Sequence, residues 1–318
     1  MPLRAIARRL LPHTPGPEAV AGIASVGVGV GLLAVKFLAY ALTGSAAIFS
    51  DAMESIVNVV ASGFALYALF YAHRPADAEH PYGHGKIEFL SAGFEGGMIF
   101  LAALVIAWQA VGVMVRPVPL ARLDWGVLLM AAAMVVNGAM GAYLINAGRR
   151  AGSLTLVADG KHLTTDAVTS AAALGAVVLI RFTGWAIVDP VVALLIAAYI
   201  SVTGIRLMRR AAAGLLDEQD AEDERLLRDI LDSHTGAGGK EPVICSYHKL
   251  RHRHSGRYHW VDFHLVVPAG LDVRQGHTIA STIEYEIEQA LGEGNATAHV
   301  EPCAGEACGS GCASDGKG

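Results

Sequence analysis

The sequence predicts an α-helical membrane protein with six transmembrane helices, followed by a small cytoplasmic α+β domain. Three observations predict it. The 318 residues are 53% hydrophobic and only 17% charged, with a mean hydropathy of +0.43, whereas soluble domains usually carry more charge. The apolar residues fall in runs of the length a bilayer crossing needs, about 20 residues. After Met208 the composition shifts to a charged, His-rich segment without any such run.

The predicted spans are residues 19–42, 48–70, 90–115, 125–145, 162–180 and 185–208, with little polar sequence between them. The triplet Gly27, Gly29, Gly31 in the first span has the small-residue spacing of close helix packing. Basic residues set the orientation. Arg4, Arg8 and Arg9 precede span one, Arg74 and Lys86 follow span two, Arg149, Arg150 and Lys161 follow span four, and Arg206, Arg209 and Arg210 end span six. The opposite side carries only Arg116, Arg122 and Arg181. The positive-inside bias therefore predicts that both termini are cytoplasmic. No small-residue cleavage site follows the first apolar run, so no removable signal peptide is expected. The divisions are 1–18, a cytoplasmic N-terminal segment; 19–210, the spans; 211–302, a cytoplasmic domain; and 303–318, a flexible Cys- and Gly-rich tail. A net charge of −5 indicates no nucleic-acid partner. Cys245, Cys303, Cys308 and Cys312 all fall on the cytoplasmic side, where structural disulfides are not expected.

Polar residues within the spans point to chemistry, because ionisable groups are costly there. SDAMESIVN at the start of span two places Asp51, Glu54 and Asn58 at i, i+3 and i+7, on one helix face. HLTTD at the start of span five places His162 and Asp166 at i, i+4. If the two faces meet, Glu54, Asn58, His162 and Asp166 supply three oxygens and one nitrogen. Two carboxylates would offset the charge of a divalent cation, and His with carboxylates suits Zn²⁺, Fe²⁺ or Co²⁺ better than Ca²⁺ or Mg²⁺. Asp51, one turn from Glu54, could add an outer bond or an extra oxygen. The alternative is a polar seam that only joins two helices, although such seams usually use Ser, Thr or Asn. Lys36 and Asp189 are read as structural.

Between spans two and three, ADAEHPYGHGK places Asp77, His80 and His84 in a loop shaped by Pro81, Gly83 and Gly85. Such a loop can fold three side chains around one ion, or can simply be solvated. The cytoplasmic segment reads αββαβ: helices at 221–234 and 272–291, strands at 243–252, 257–267 and 295–301. That order gives a small sandwich with helices on one sheet face. Alternation puts His259, Val261, Phe263 and Leu265 on the core face. It puts His264 on the uncovered face, where His299 and Glu301 can join it, with His277 on the neighbouring helix as a weaker candidate. His248, His252 and His254 read as a solvated strand and turn. The tail CAGEACGSGC is read as flexible, with Cys303 a weaker candidate for soft-metal capture.

Six spans, acids in span two, HxxxD in span five, PYGHGKIEF after span two and a His-bearing C-terminal domain together resemble the cation diffusion facilitators, over about residues 15 to 303. The resemblance implies a ferredoxin- or metallochaperone-like cytoplasmic domain, a homodimer and a divalent-metal/proton antiporter in membrane lipid. It implies a bacterial-type inner membrane and no organic cofactor. Its transport site maps onto Glu54, Asn58, His162 and Asp166, its loop site onto Asp77, His80 and His84, and its regulatory site onto His264, His299 and Glu301. Family members commonly carry Asp or His at the first position and Asp at the second, so Glu54 and Asn58 depart from the pattern. HxxxD implies Zn²⁺ or Cd²⁺ as substrate, and the added oxygen leaves Fe²⁺ and Co²⁺ open. Two other classes fit parts of the chain. A metal-dependent membrane hydrolase would need a general base beside a metal-bound water, and the chain has no HExxH. A membrane metal sensor would signal through the C-terminal domain without transport.

Overall fold

A computed structural model describes residues 17–43, 46–115, 125–183, 187–236 and 240–303. The chain divides into two compact units after Leu215. The first holds six long helices: α1 (Pro17–Thr43), α2 (Ala46–Ala72), α3 (Ile87–Val115), α4 (Trp125–Ala151), α5 (Leu154–Thr183) and α6 (Val188–Leu215). Among the described residues, Glu18–Leu38, Ile87–Gly112, Ala131–Ala151 and Pro190–Leu215 are long and apolar enough to cross a membrane. α2 contributes the shorter apolar stretch Asn58–Ala72. Helices suit this setting because they satisfy their own backbone groups where water is scarce.

The helices pack most extensively as α1 with α2, α3 with α6 and α4 with α5, and α5 also touches α2, α3 and α6. α5 is therefore shared by two apolar cores. Its Ala158 packs with Ile99 of α3 and with Ile200 and Leu207 of α6. Its Leu156 and Leu163 pack with Ala21 of α1, Leu69 of α2 and Leu144 of α4. α5 begins at Leu154, roughly two turns before His162. Counting apolar residues puts its start too late, because ADGKH is polar yet turned into the bundle, where Asp159, Gly160 and His162 are all buried.

The α4–α5 crossing is a backbone-to-backbone approach. A Cβ at Gly141 would lie 2.7 Å from Gly160 O, and one at Gly160 would lie 2.8 Å from Gly141 O. Only glycine at both positions admits this spacing, the usual device of close helix packing in membranes. Among the described residues, the Gly27, Gly29, Gly31 triplet makes one such approach, to a side chain of α2. A Cβ at Gly27 or Gly31 would meet nothing described within 4 Å, and one at Gly29 would meet only Val59, at 3.3 Å. Lys36 is buried and donates to Ser55 Oγ at 2.8 Å. The Asp189 side chain lies outside the described residues.

The second unit runs α7 (Ala221–His234), β1 (Ser246–Ser255), β2 (Tyr258–Val267), α8 (Val273–Leu291) and β3 (Gly294–Pro302). The αββαβ order matches expectation. Asp220 caps α7 by accepting from the N–H groups of Glu222 and Asp223, and Asp272 with Gln275 forms a reciprocal capping box on α8. The sheet order is β1-β2-β3, with β1 antiparallel and β3 parallel to β2. Val261, Phe263, Leu265 and Val267 face Leu227, Leu231, Ile283 and Ile287 in one core, as alternation along β2 predicts. The β1–β2 register shifts between His248 and Arg251, where Lys249 takes φ 53°. One extra residue there inverts the facing of everything that follows in β1.

The glycine crossing generates a test. Gly160→Val should cost about 1–3 kcal/mol through overpacking and lower the melting midpoint of the detergent-solubilised protein. Gly97→Ala, where a Cβ meets nothing within 4 Å, should leave it unchanged or raise it slightly. Equal midpoints for the two variants would contradict the close approach.

Candidate metal centres

Asn58 on α2 lies between the two predicted groups of α5. Its amide nitrogen donates to Asp166 Oδ2 at 2.6 Å, and its amide oxygen lies 3.1 Å from His162 Nε2. The structure thus joins three of the four residues expected at the α2–α5 seam. The backbone of Glu54 and Asp51 continues the same helix, while their side chains lie outside the described residues.

Two further acids stand beside this group, and the sequence reading passed over both. Glu95 of α3 is fully buried, with neither carboxylate oxygen hydrogen-bonded among the described residues. Its Oε2 is 3.6 Å from His162 Nδ1. The imidazole therefore faces an acceptor at each nitrogen, and a neutral ring can donate to only one. Asp159 is also buried, and it accepts from Ser25 Oγ of α1 and Ser62 Oγ of α2, each at 2.7 Å. Asp159, His162 and Asp166 stand at i, i+3 and i+7, so one face of α5 carries two acids and an imidazole past α1, α2 and α3. An available signal was the rule that an acid within an apolar run marks function. It applies to Glu95 in GFEGG, and to Asp159 once the helix is extended.

In the α2–α3 loop, Asp77 gathers both histidines. Asp77 Oδ1 is 3.2 Å from His80 Nδ1, and Oδ2 is 3.2 Å from His84 Nε2. The backbone N–H of His80 donates to Asp77 at 2.7 Å and, together with the imidazole, holds that carboxyl below its usual range. His84 is buried edge-on against Tyr71, with centroids 4.8 Å apart. The three offer ligand atoms within 4.8 Å of one another.

In the second unit the register aligns His248, His264 and His299 side by side across three strands. Glu301 reaches all three: His264 Nδ1 at 2.7 Å, His248 Nε2 at 3.4 Å and His299 Nε2 at 3.7 Å. The hydrogen bond from His264 holds its carboxyl below the usual range. His264, His299 and Glu301 converge as expected, and His248 joins them rather than standing apart in solvent. Its place depends on a cross-strand register that β1 alone does not reveal. His277 is exposed on α8 beside Ser281 and lies outside this group.

Two expectations about the thiols and β1 change. Cys245 and Cys303 are both disulfide-bonded, so neither offers a free thiolate. Strand order brings both to one end of β2, where their N–H groups donate to Val266 O and Val267 O. Reasoning from compartment did not anticipate this, and Cys303 is not a free ligand. Cys308 and Cys312 lie outside the described residues. His252 and His254 are not solvated: His252 is buried and His254 half-buried, because the bulge after His248 turns both to the core face.

These features agree with comparisons to known proteins. A family model described as the cation efflux transmembrane domain matches residues 22–216, and one described as the cation efflux protein cytoplasmic domain matches 222–303. The chain is 36% identical to the uncharacterized transporter sll1263 of Synechocystis over 282 residues, covering 88% of this chain and 89% of that protein. It is 32% identical to the cation-efflux pump FieF of Klebsiella pneumoniae over 89% of this chain and 92% of the pump, and 29% identical to FieF of Shewanella oneidensis over 89% and 93%. With both halves matched in order, and a half-buried His–Asp–Asn group where an apolar bundle needs a reason for one, the chain belongs to the cation diffusion facilitator family of cation efflux transporters.

Proposed function

We propose that this transporter exports a divalent transition metal from the cytoplasm in exchange for protons. Zn²⁺ is the first candidate, with Cd²⁺, Fe²⁺ and Co²⁺ as alternatives. The observation that carries the reading is the group formed by Asn58, His162 and Asp166 between α2 and α5. An amide oxygen, an imidazole nitrogen and a carboxylate oxygen already share one small volume. Glu54, one turn before Asn58 in the sequence, is proposed as the fourth ligand. Nitrogen with carboxylate oxygen favours borderline transition metals over Ca²⁺ or Mg²⁺.

The proton side of the exchange follows from the same residues. A ligating imidazole must be unprotonated and a ligating carboxylate ionised, so metal entry releases protons. Without metal, His162 sits between Asn58 Oδ1 and the Glu95 carboxylate, an arrangement that a proton on the ring or on Glu95 relieves. Glu95 then acts as the neighbour that holds the returning proton, and Asp159 anchors α5 to α1 and α2 through two serine hydroxyls. Alternating access exposes the group first to the cytoplasm and then to the far side, and the inward proton gradient resets it. Positive-inside counting and the bacterial relatives support cytoplasmic termini and an inner membrane in lipid. The loop group and the His248–His264–His299–Glu301 group are read as accessory and regulatory metal sites, the latter in a homodimer joined through the cytoplasmic domains.

A membrane metal sensor is the competing reading, and flux separates the two. In proteoliposomes containing a pH dye, Zn²⁺ uptake should be accompanied by proton counterflow, and Asp166→Ala should reduce both to background while the protein remains inserted. Full flux in that variant would remove the core of the proposal, and binding without flux for Zn²⁺, Cd²⁺, Fe²⁺ and Co²⁺ alike would favour the sensor. Glu95→Gln retains the size of the side chain and all four proposed ligands. It should lower Zn²⁺ flux by about 10-fold, the effect typical of residues that support a metal ligand, and should shift the pH at which flux is half-maximal. An unchanged pH profile would leave Glu95 a purely structural residue.

A further inference from the structure

The β-bulge divides the histidines of β1 between two faces, and the inward set has no assigned role. His252 and His254 point to the core face next to the first turn of α7. His254 lies opposite His259 across the β1–β2 hairpin, with ring centroids 4.3 Å apart. Asp223 of α7 meets both: its Oδ2 is 2.9 Å from His254 Nε2 and 3.2 Å from His259 Nδ1. His252 is 5% exposed, and its Nε2 is buried with no hydrogen-bond partner among the described residues. Asp223, His252 and His254 offer ligand atoms that all lie within 4.8 Å of one another.

We propose that Asp223, His252, His254 and His259 form a separate site for a divalent transition cation of the Zn²⁺ class, which clips the β1–β2 hairpin to α7. Three imidazoles and one carboxylate are ligands Zn²⁺ takes in tetrahedral sites, whereas Ca²⁺ and Mg²⁺ take oxygens. Zinc–ligand bonds of about 2.0–2.1 Å put tetrahedral ligands about 3.3 Å apart. Two of the contacts here, 2.9 and 3.2 Å, already approach that spacing. The unpartnered His252 nitrogen is the strongest sign. A buried imidazole nitrogen normally finds a donor or acceptor, and a metal ion would provide the partner that the described protein lacks. A pair of half-buried histidines sharing one aspartate would account for His254 and His259 but not for His252.

The site is distinct from the His264–Glu301 group. His259 and His264 are on opposite faces of β2 and five residues apart, about 17 Å along the strand, too far for one ion. Its ligands also join the segment that leads into α7. The backbone N–H of His252 donates to Gln219 Oε1 at 3.0 Å, and Arg253 pairs with Asp217 at 3.4 Å. An ion held here would therefore fix the hairpin, the start of α7 and the residues entering it as one unit. Binding of this kind does not require that the protein transports metal.

The test uses the full chain in detergent, in a background carrying Asp166→Ala, Asp77→Ala and His264→Ala to weaken the other proposed centres. Zn²⁺ alone is the probe for stoichiometry by equilibrium dialysis, and X-ray absorption counts the imidazoles around it. The expected result is one tightly held equivalent coordinated by three histidines, which also raises the melting midpoint. Adding Asp223→Asn and His254→Gln should weaken that equivalent by about 100-fold or more. Overturning results are a background protein with no such equivalent, or an added pair that leaves its affinity unchanged. If the added pair fails to fold, as circular dichroism would show, the histidine count in the background protein decides the question by itself.

Discussion

The membrane unit depends on one constraint: the polar face of α5 must find partners inside an apolar bundle. Asp159 and His162, which are buried, and Asp166, which is half-buried, cannot stay there unless other elements meet them. Two serine hydroxyls from α1 and α2 answer Asp159, the Asn58 amide answers His162 and Asp166, and Glu95 closes the far side of the imidazole. Four helices are thereby held in register by side chains that also constitute the candidate transport group. On the proposed reading, structure and function here draw on the same atoms.

The close approach of α4 to α5 complements that arrangement. Gly141 and Gly160 let the two backbones touch, so one side of α5 is fixed by packing and the opposite side is left to polar partners. The two cores that share α5 are apolar, and at its start Ser153 and Thr155 add buried hydrogen bonds to Glu88 of α3. Any motion that exposes the candidate metal group to alternate sides has to slide or tilt helices past these contacts, and the bundle is suited to rigid-body steps rather than local fraying.

Much of this was legible in the sequence, for identifiable reasons. Long apolar runs mark spans because lipid demands them, and period-two alternation placed Val261, Phe263 and Leu265 correctly because a half-buried strand has only two faces. HxxxD on α5 and Asn58 on α2 were readable because helical spacing is regular. What escaped depends on non-local contacts. Glu95 is an acid in the middle of an apolar helix, and its meaning comes only from an imidazole on another helix. The start of α5 was misplaced because its polar first turns are satisfied by serines far away in sequence. The cross-strand row of His248, His264 and His299 requires the register of three strands. The facing of His252 and His254 requires a one-residue irregularity that composition does not signal.

That irregularity has a wider consequence. Side-chain facing in a strand is a matter of parity, so the position of Lys249 acts as a counter, while the chemistry of each histidine is secondary to it. Removing one residue there would carry His252 and His254 from the interior to the outer row beside His248, taking imidazoles from one cluster and adding them to the other without altering a single histidine. Across relatives of this chain, an insertion or deletion at this point of β1 would redistribute metal-binding capacity between the two faces of the sheet more sharply than most substitutions. Strand length at the bulge, a property usually treated as neutral variation, would then help decide how many cations the domain can hold.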